Sequence, residues 1–420
     1  MFKNKKRAVI FTVIVLVVLG LIIRWAIPYR FGYFTEGPKL AYEHFGDVLK
    51  LENGNVLILG SNSHTNPHKD NWNINELVIS EVPSEIYNAK SNNFEIFKLP
   101  NTIAYKPKGI LLGNNKLLLT SAYNYNDKKY PKYGSNMPKP YPYDSIALIN
   151  LDTNKVEKML QKKLNRNKKP SDEIEATLLD NGNVLLVEPY NGAELYNPKL
   201  NTSVLLKNWN FEKGSLIPDK EGRVLIFCAN TENSSTEEYA SVYEFDTKTQ
   251  TFKSIGKTLR RINPLVMKIN NNEILLMGSA NWLRSEKLIE IYDTRTNTSR
   301  VVANFIEPKK RRTVFYPHNP AFAAAATGKS YILITGGTNG SFPLTKFYDS
   351  TEVLNTKTGK IYKGPKMKRK IAYHKMMKLN NGNLLVVGNG VISNVKYTQI
   401  FKENRGKLWI TTKLMRSLQF

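Results

Sequence analysis

The chain has 420 residues, a single cysteine, and 61 Lys and Arg against 35 Asp and Glu, a formal charge of +26. One cysteine excludes an internal disulfide framework, so a large apolar core must hold the fold. The excess of bases disfavours an acid-rich catalytic funnel and leaves two readings of the surface, a solvated face that keeps the chain soluble or salt-sensitive attraction to a polyanion.

At the N-terminus, residues 1–7 form a basic tip with Lys3, Lys5, Lys6 and Arg7. An uninterrupted apolar run follows from Ala8 to Ile23, extended by Trp25, Ala26 and Ile27. Residues 8–27 are long enough to cross a bilayer core of about 30 Å as a helix. Trp25 and Tyr29 suit the headgroup belt, and the flanking charges place the N-terminus in the cytoplasm and the rest of the chain outside, in the periplasm or at the cell surface. The residues around Arg24 and Pro28 make a poor cleavage site, so an uncleaved signal anchor is expected. Residues 28–44 then read as a stalk and 45–420 as the folded domain.

Within that domain one pattern recurs seven times. A polar Asn/Gly turn runs into a short apolar strand, as in Asn53-Gly54-Asn55-Val56-Leu57-Ile58-Leu59 and Asn181-Gly182-Asn183-Val184-Leu185-Leu186-Val187. Downstream of each, an apolar residue and an aromatic lead into an Asp/Asn/Thr/Lys turn, as in Ile86-Tyr87-Asn88, Leu195-Tyr196-Asn197 and Ile291-Tyr292-Asp293. Asp and Asn suit these turns because they hydrogen-bond their own backbone and tolerate left-handed conformations. The continuously apolar runs suit strands covered on both faces, and a repeat of tens of residues means a radial or solenoid array.

This pattern resembles the kelch repeat, with the Gly-Gly pair retained at Gly336-Gly337. The resemblance spans about residues 45–414 and implies an all-β, kelch-like β-propeller, expected to have seven blades; the last repeat reads as containing its own four strands, with a strand added by residues 29–44 as the alternative closure. In such propellers ligands meet the loops and the axial funnel.

Two insertions follow the same strand of their repeats. Residues 61–79 carry His64, His68 and Trp72; residues 121–144 carry Tyr123, Tyr125, Tyr130, Tyr133, Lys128 and Lys129. Aromatic faces meet sugars or partner side chains, and lysines meet negative charge. With Lys310, Arg311 and Arg312 they form the expected binding set for a protein partner or an anionic cell-envelope glycan. The exported location argues against nucleic acid.

An enzyme on the same scaffold is the alternative. Tyr373-His374 and Tyr316-Pro317-His318 resemble the Tyr-His dipeptide of galactose-oxidase-like copper enzymes, which are also kelch propellers. In that family two tyrosines and two histidines hold copper, and one tyrosine is cross-linked to a cysteine. Cys228 instead lies inside an apolar strand, and the family's additional C-terminal domain has no counterpart after the seventh repeat. A carbohydrate-active hydrolase would need two facing carboxylates, with Glu188, Asp219 and Glu232 as candidates. Binding without metal or cofactor is the expected function.

Overall fold

The computed structural model describes residues 11–14, 17, 31–42, 44, 46–65, 78–100, 108–122, 145–161, 174–188, 192–207, 209, 213–219, 222–229, 238–261, 264–278, 287–306, 322–328, 330–339, 346–388 and 396–404. They build a seven-bladed β-propeller, each blade a four-stranded antiparallel sheet. Blade 1 runs from Val48–Lys50 to Asn93–Phe97, blade 2 from Gly109–Leu111 to Lys155–Gln161, and blade 3 from Glu175–Leu178 to Thr202–Leu206. Blade 4 runs from Lys213–Pro218 to Thr251–Leu259, blade 5 from Leu265–Lys268 to Thr298–Asn304, and blade 6 from Phe322–Thr327 to Ile361–Lys363. Blade 7 consists of Lys375–Lys378, Leu384–Val387 and Thr398–Glu403, with Gly32–Glu36 paired outside them.

Burial explains the architecture. The recurrent apolar runs are the second strands, such as Val184–Glu188, and they are buried from end to end. Each hydrophobic cluster joins two neighbouring blades, and there is one at every interface around the ring. The cluster that shuts the ring packs Leu40, Val56, Ile58 and Tyr87 against Leu379, Leu385, Val387 and Ile400.

The turns between third and fourth strands repeat one chemistry. The side chain of Asn88 accepts from the amides of Lys90 and Ser91, and Asn92 takes a left-handed φ of 54°. Asn197 and Asn201 do the same in blade 3, and Asp246 and Gln250 in blade 4. In blades 1, 3 and 5 the aromatic locks the turn: the hydroxyls of Tyr87, Tyr196 and Tyr292 donate to Asn92, Asn201 and Asn297 at 2.8, 3.0 and 3.2 Å. That is why the sequence repeats Tyr and Asn five residues apart.

The topology gives the ring two unlike faces. Turns joining first to second and third to fourth strands are short and emerge on one face. Connections joining second to third strands, and one blade to the next, emerge on the other, here termed the loop-rich face. On that side Ser61–Thr65 and Val78–Val82 form a two-stranded ribbon, so the first insertion is partly a hairpin rather than a simple loop.

The N-terminal region departs from expectation. Residues 28–44 are not only a stalk, because Gly32–Glu36 is the outermost strand of blade 7, in antiparallel register from Gly32 opposite Glu403 to Glu36 opposite Gln399. The last repeat therefore supplies three strands of its blade, and the propeller begins before residue 45. Among the described residues no helix is long and apolar enough to cross a membrane; residues 11–14 and 17 are helical, and the rest of the 8–27 run lies outside them.

Phe34 is 3 % exposed and its ring centroid lies 5.2 Å from that of Phe401. Phe34→Ala is expected to lower unfolding free energy by about 3–5 kcal/mol. Ile96→Ala, at a side chain 53 % exposed on the outer strand of blade 1, is expected to cost under about 1 kcal/mol. Urea unfolding of the two variants checks this.

Candidate functional site

The loop-rich face rests on a recurrent buried carboxylate or carboxamide two residues before the aromatic position of the third strand. Glu85, Glu194, Glu290, Glu352 and Gln399 occupy it, none more than 2 % exposed. Four of them seize the connection arriving from the preceding blade. Glu85 accepts from the amides of Ala41 and Tyr42 at 3.1 and 3.0 Å and lies 2.8 Å from His44 Nε2. Glu290 accepts from the Leu259 amide at 3.0 Å and pairs with buried Arg261 at 3.4 Å. Glu352 accepts from the Ile306 amide at 3.1 Å, and Gln399 from the Lys368 amide at 2.7 Å. A buried anion is tolerated only when donors surround it, and here backbone amides supply them.

The connection held by Gln399 carries charge. Residues 366–370 contribute exposed Lys366, Lys368, Arg369 and Lys370 beside buried Met367. The Arg369 guanidinium stacks over the Tyr397 ring at 3.8 Å from its centroid, and Lys39 Nζ lies 5.8 Å from the same centroid. Lys396 adjoins Tyr397, and the acid on these segments is Glu36, 3.3 Å from Arg369. An aromatic ring flanked by two cations, within a cluster of six bases, is suited to an anionic ligand with a flat or apolar face.

The axial mouth on this face has its own pattern. Asp47, Lys108, Glu175 and Lys375 occupy one register position on the first strands of blades 1, 2, 3 and 7. Lys375 reaches Asp47 at 2.5 Å, and Lys108 reaches Glu175 at 2.8 Å. Burial works to raise the Asp47 pKa, but Lys375 and Lys108 outweigh it and hold the carboxyl below its usual range. The position is Ser215, Leu265 and Ala323 in blades 4 to 6. The arc is charge-balanced and holds blade 7 to blade 1.

Trp72, Tyr123, Tyr125, Lys128, Lys129, Tyr130, Tyr133, Lys310, Arg311 and Arg312 lie outside the described residues. The chain leaves and re-enters around them at Ala122 and Ser145, and at Ile306 and Phe322, all strand ends or connections of the loop-rich face. In the sequence the Tyr397 cluster shows only as the four closely spaced bases Lys366, Lys368, Arg369 and Lys370. Closure of the ring brings Lys39 to it, which no local signal announces.

The enzyme candidates do not converge. Glu188 ends a second strand on the loop-rich side, whereas Asp219 sits at a short turn on the other face, bound by Arg223 at 2.7 Å and Lys268 at 3.2 Å. Glu232 lies outside the described residues. His374 is fully buried, its Nε2 is 2.7 Å from the Thr335 hydroxyl, and desolvation pushes its pKa down to about 3. Cys228 packs in the core between blades 3 and 4 with Val187, Ile226 and Phe245. Among the described residues no three His, Cys, Asp or Glu side chains converge on a metal position. Tyr316 and His318 lie outside the described residues; the described His374 and Cys228, one against Thr335 and the other in the core between blades 3 and 4, do not fit a copper centre.

No family model matches the chain, and no curated protein sequence matches it. Among solved structures it is similar to a fungal alcohol oxidase of the AA5 family in complex with copper, at TM-score 0.57 and 13 % identity, over 89 % of this chain and 76 % of that one. At that identity the likeness concerns the fold.

The Glu85 clamp is testable by pH. Burial works to raise its pKa, but the His44 hydrogen bond and the amides of Ala41 and Tyr42 win and hold it below 4.5. The stabilisation is thus present above about pH 4.5 and lost as pH falls through the lower folded value. Urea midpoints at pH 7 and pH 4 should differ more for the wild type than for Glu85→Gln, and the variant should be less stable at pH 7.

Proposed function

We propose that this protein is a membrane-anchored, extracytoplasmic kelch-type propeller that binds an anionic cell-envelope polymer, a glycan or its phosphorylated relative, on its loop-rich face. The observation that carries the reading is the Tyr397 ring between Arg369 and Lys39 in a cluster of six bases. Residues 8–27 serve as the anchor. The 61–79 and 121–144 segments, with Trp72, Tyr123, Tyr125 and Lys310 to Arg312, extend the surface, since they are spliced into the same face. Rigid strands presenting variable loops are where binding residues concentrate.

An oxidase on the same scaffold is the second reading. The likeness to a copper alcohol oxidase speaks for it, and the burial of His374 against Thr335 speaks against it. Metal analysis of the purified protein decides: stoichiometric copper would favour the oxidase.

Binding of a polyanionic envelope glycan is expected to weaken steeply as salt rises from about 50 to 500 mM. Lys368→Glu with Arg369→Glu should reduce affinity about tenfold or more at low salt, with stability lowered by only about 1 kcal/mol from the lost Tyr397 stacking and Glu36 pair, both at exposed positions. Binding indifferent to salt and to both substitutions would reject the polymer and leave a protein partner.

A further inference from the structure

We infer that the short-turn face of the propeller lies against the membrane and contacts an anionic phospholipid surface. The inference rests on residues 8–27 being the anchor, and it fixes which face that anchor turns toward the bilayer.

Chain length is the first observation. Phe31 is pinned to the propeller, its ring 5.3 Å from Tyr331 and 5.7 Å from Tyr362 between centroids, and its carbonyl accepts from the Asn404 amide. Three residues separate it from Ile27, so the four Cα–Cα steps between them reach at most about 14 Å. Gly32 lies opposite Glu403, the end of a third strand, so Phe31 and Gly32 start at the short-turn face. From there the strand runs to Glu36, opposite Gln399, on the loop-rich side. At about 3.4 Å per residue that is a further ~14 Å from the anchor. The anchor therefore holds the short-turn face close and the loop-rich face away.

Charge placement is the second, independent observation. The turns between third and fourth strands carry a cation at one equivalent position: Lys90, Lys199, Lys248, Arg295 and Lys357 in blades 1, 3, 4, 5 and 6, all exposed. Each backbone amide there donates to the Asn or Asp that opens the turn, so the geometry that builds the turn also aims the side chain outward. Arg295 is paired with Asp293 at 2.6 Å. The four lysines make no ion pair with another described residue. Blade 2 has Asp152 at this position, with exposed Lys155 three residues on. Beside Lys199 projects Leu200, 71 % exposed, the apolar residue such a rim would insert among headgroups. Each lysine near an anionic surface contributes roughly a fivefold factor to partitioning, so four spread around the ring oppose tilting about the single tether.

The full chain, in a Cys228→Ala background, is reconstituted into vesicles of phosphatidylglycerol or of phosphatidylcholine. A fluorophore is placed through Leu200→Cys on the short-turn face or Tyr239→Cys, 51 % exposed, on the loop-rich side. Flotation reads the anchor, and quenching by a headgroup-bound quencher reads the face. The expected result is flotation with both lipids. In phosphatidylglycerol the residue-200 label should be quenched at least about threefold more than the residue-239 label. That difference should shrink in phosphatidylcholine, in high salt, and in the Lys90→Glu, Lys199→Glu, Lys248→Glu, Lys357→Glu variant, whose side chains lie outside the core. Flotation with equal quenching, or with the residue-239 label quenched more, overturns the inference while the anchor stands. Failure to float overturns both.

Discussion

The antiparallel pairing of Gly32–Glu36 with Thr398–Glu403 is the constraint on which the propeller depends. Without it blade 7 would end on a third strand with its outer edge unpaired, the kind of edge that invites aberrant pairing. With it, the first and last strands of the propeller share one sheet, and Leu40, Val56 and Tyr87 meet Leu385 and Ile400 across the last interface. The close approach explains a glycine: at Gly32, with φ of 146°, a Cβ would collide with the Lys402 carbonyl and the Phe401 ring. The strand cannot slide along its partner without losing that fit, nor without turning Phe34 out of the core. Closure also brings Lys39 to Arg369 and Tyr397, and Asp47 to Lys375. The same event that completes the fold therefore completes the candidate site.

The buried Glu and Gln side chains solve a second problem. A connection between blades must cross the top of an apolar interface, where its amides would lose water. An unsatisfied buried amide costs about 1–3 kcal/mol. Glu85, Glu290, Glu352 and Gln399 meet those amides from inside the fold. The clamp leaves the outer side of each connection free to vary, so Gln399 can fix residues 368–369 while Lys368 and Arg369 remain exposed.

Legibility from sequence follows from locality. The turn chemistry was readable because Asn88 and Lys90, or Asp246 and Lys248, bond within a few residues. The apolar second strands were readable because burial on both faces leaves no alternation. The acid stands before Ile-Tyr or Leu-Tyr in blades 1, 3 and 5, yet the clamp's partners lie up to 46 residues away and share no residue type, being backbone amides. A repeated acid inside an apolar run carries that signal, whereas the candidate carboxylates Glu188 and Asp219 lie toward different faces. The short segment Gly32-Tyr33-Phe34-Thr35-Glu36 read as stalk because its partner stands at the opposite end of the chain. Tyr397 escaped for the same reason: its two cations come from segments hundreds of residues apart.

Net charge alone would make every surface of this chain a candidate for anions, and position discriminates. On the short-turn face five of the six turns between third and fourth strands carry a cation placed by a motif whose first duty is to close a hairpin, so the cations are spread around most of the ring. On the loop-rich face they are concentrated on blade 7, where Gln399 and ring closure gather them beside an aromatic. A regular rim suits a laterally uniform surface such as a bilayer, whereas a local cluster with a stacking partner suits a discrete ligand. With residues 8–27 as the proposed anchor, tied to the rim through three residues, the two proposals fall into order: the uniform surface would lie beneath the propeller, and the discrete ligand would be met on the side turned away from it.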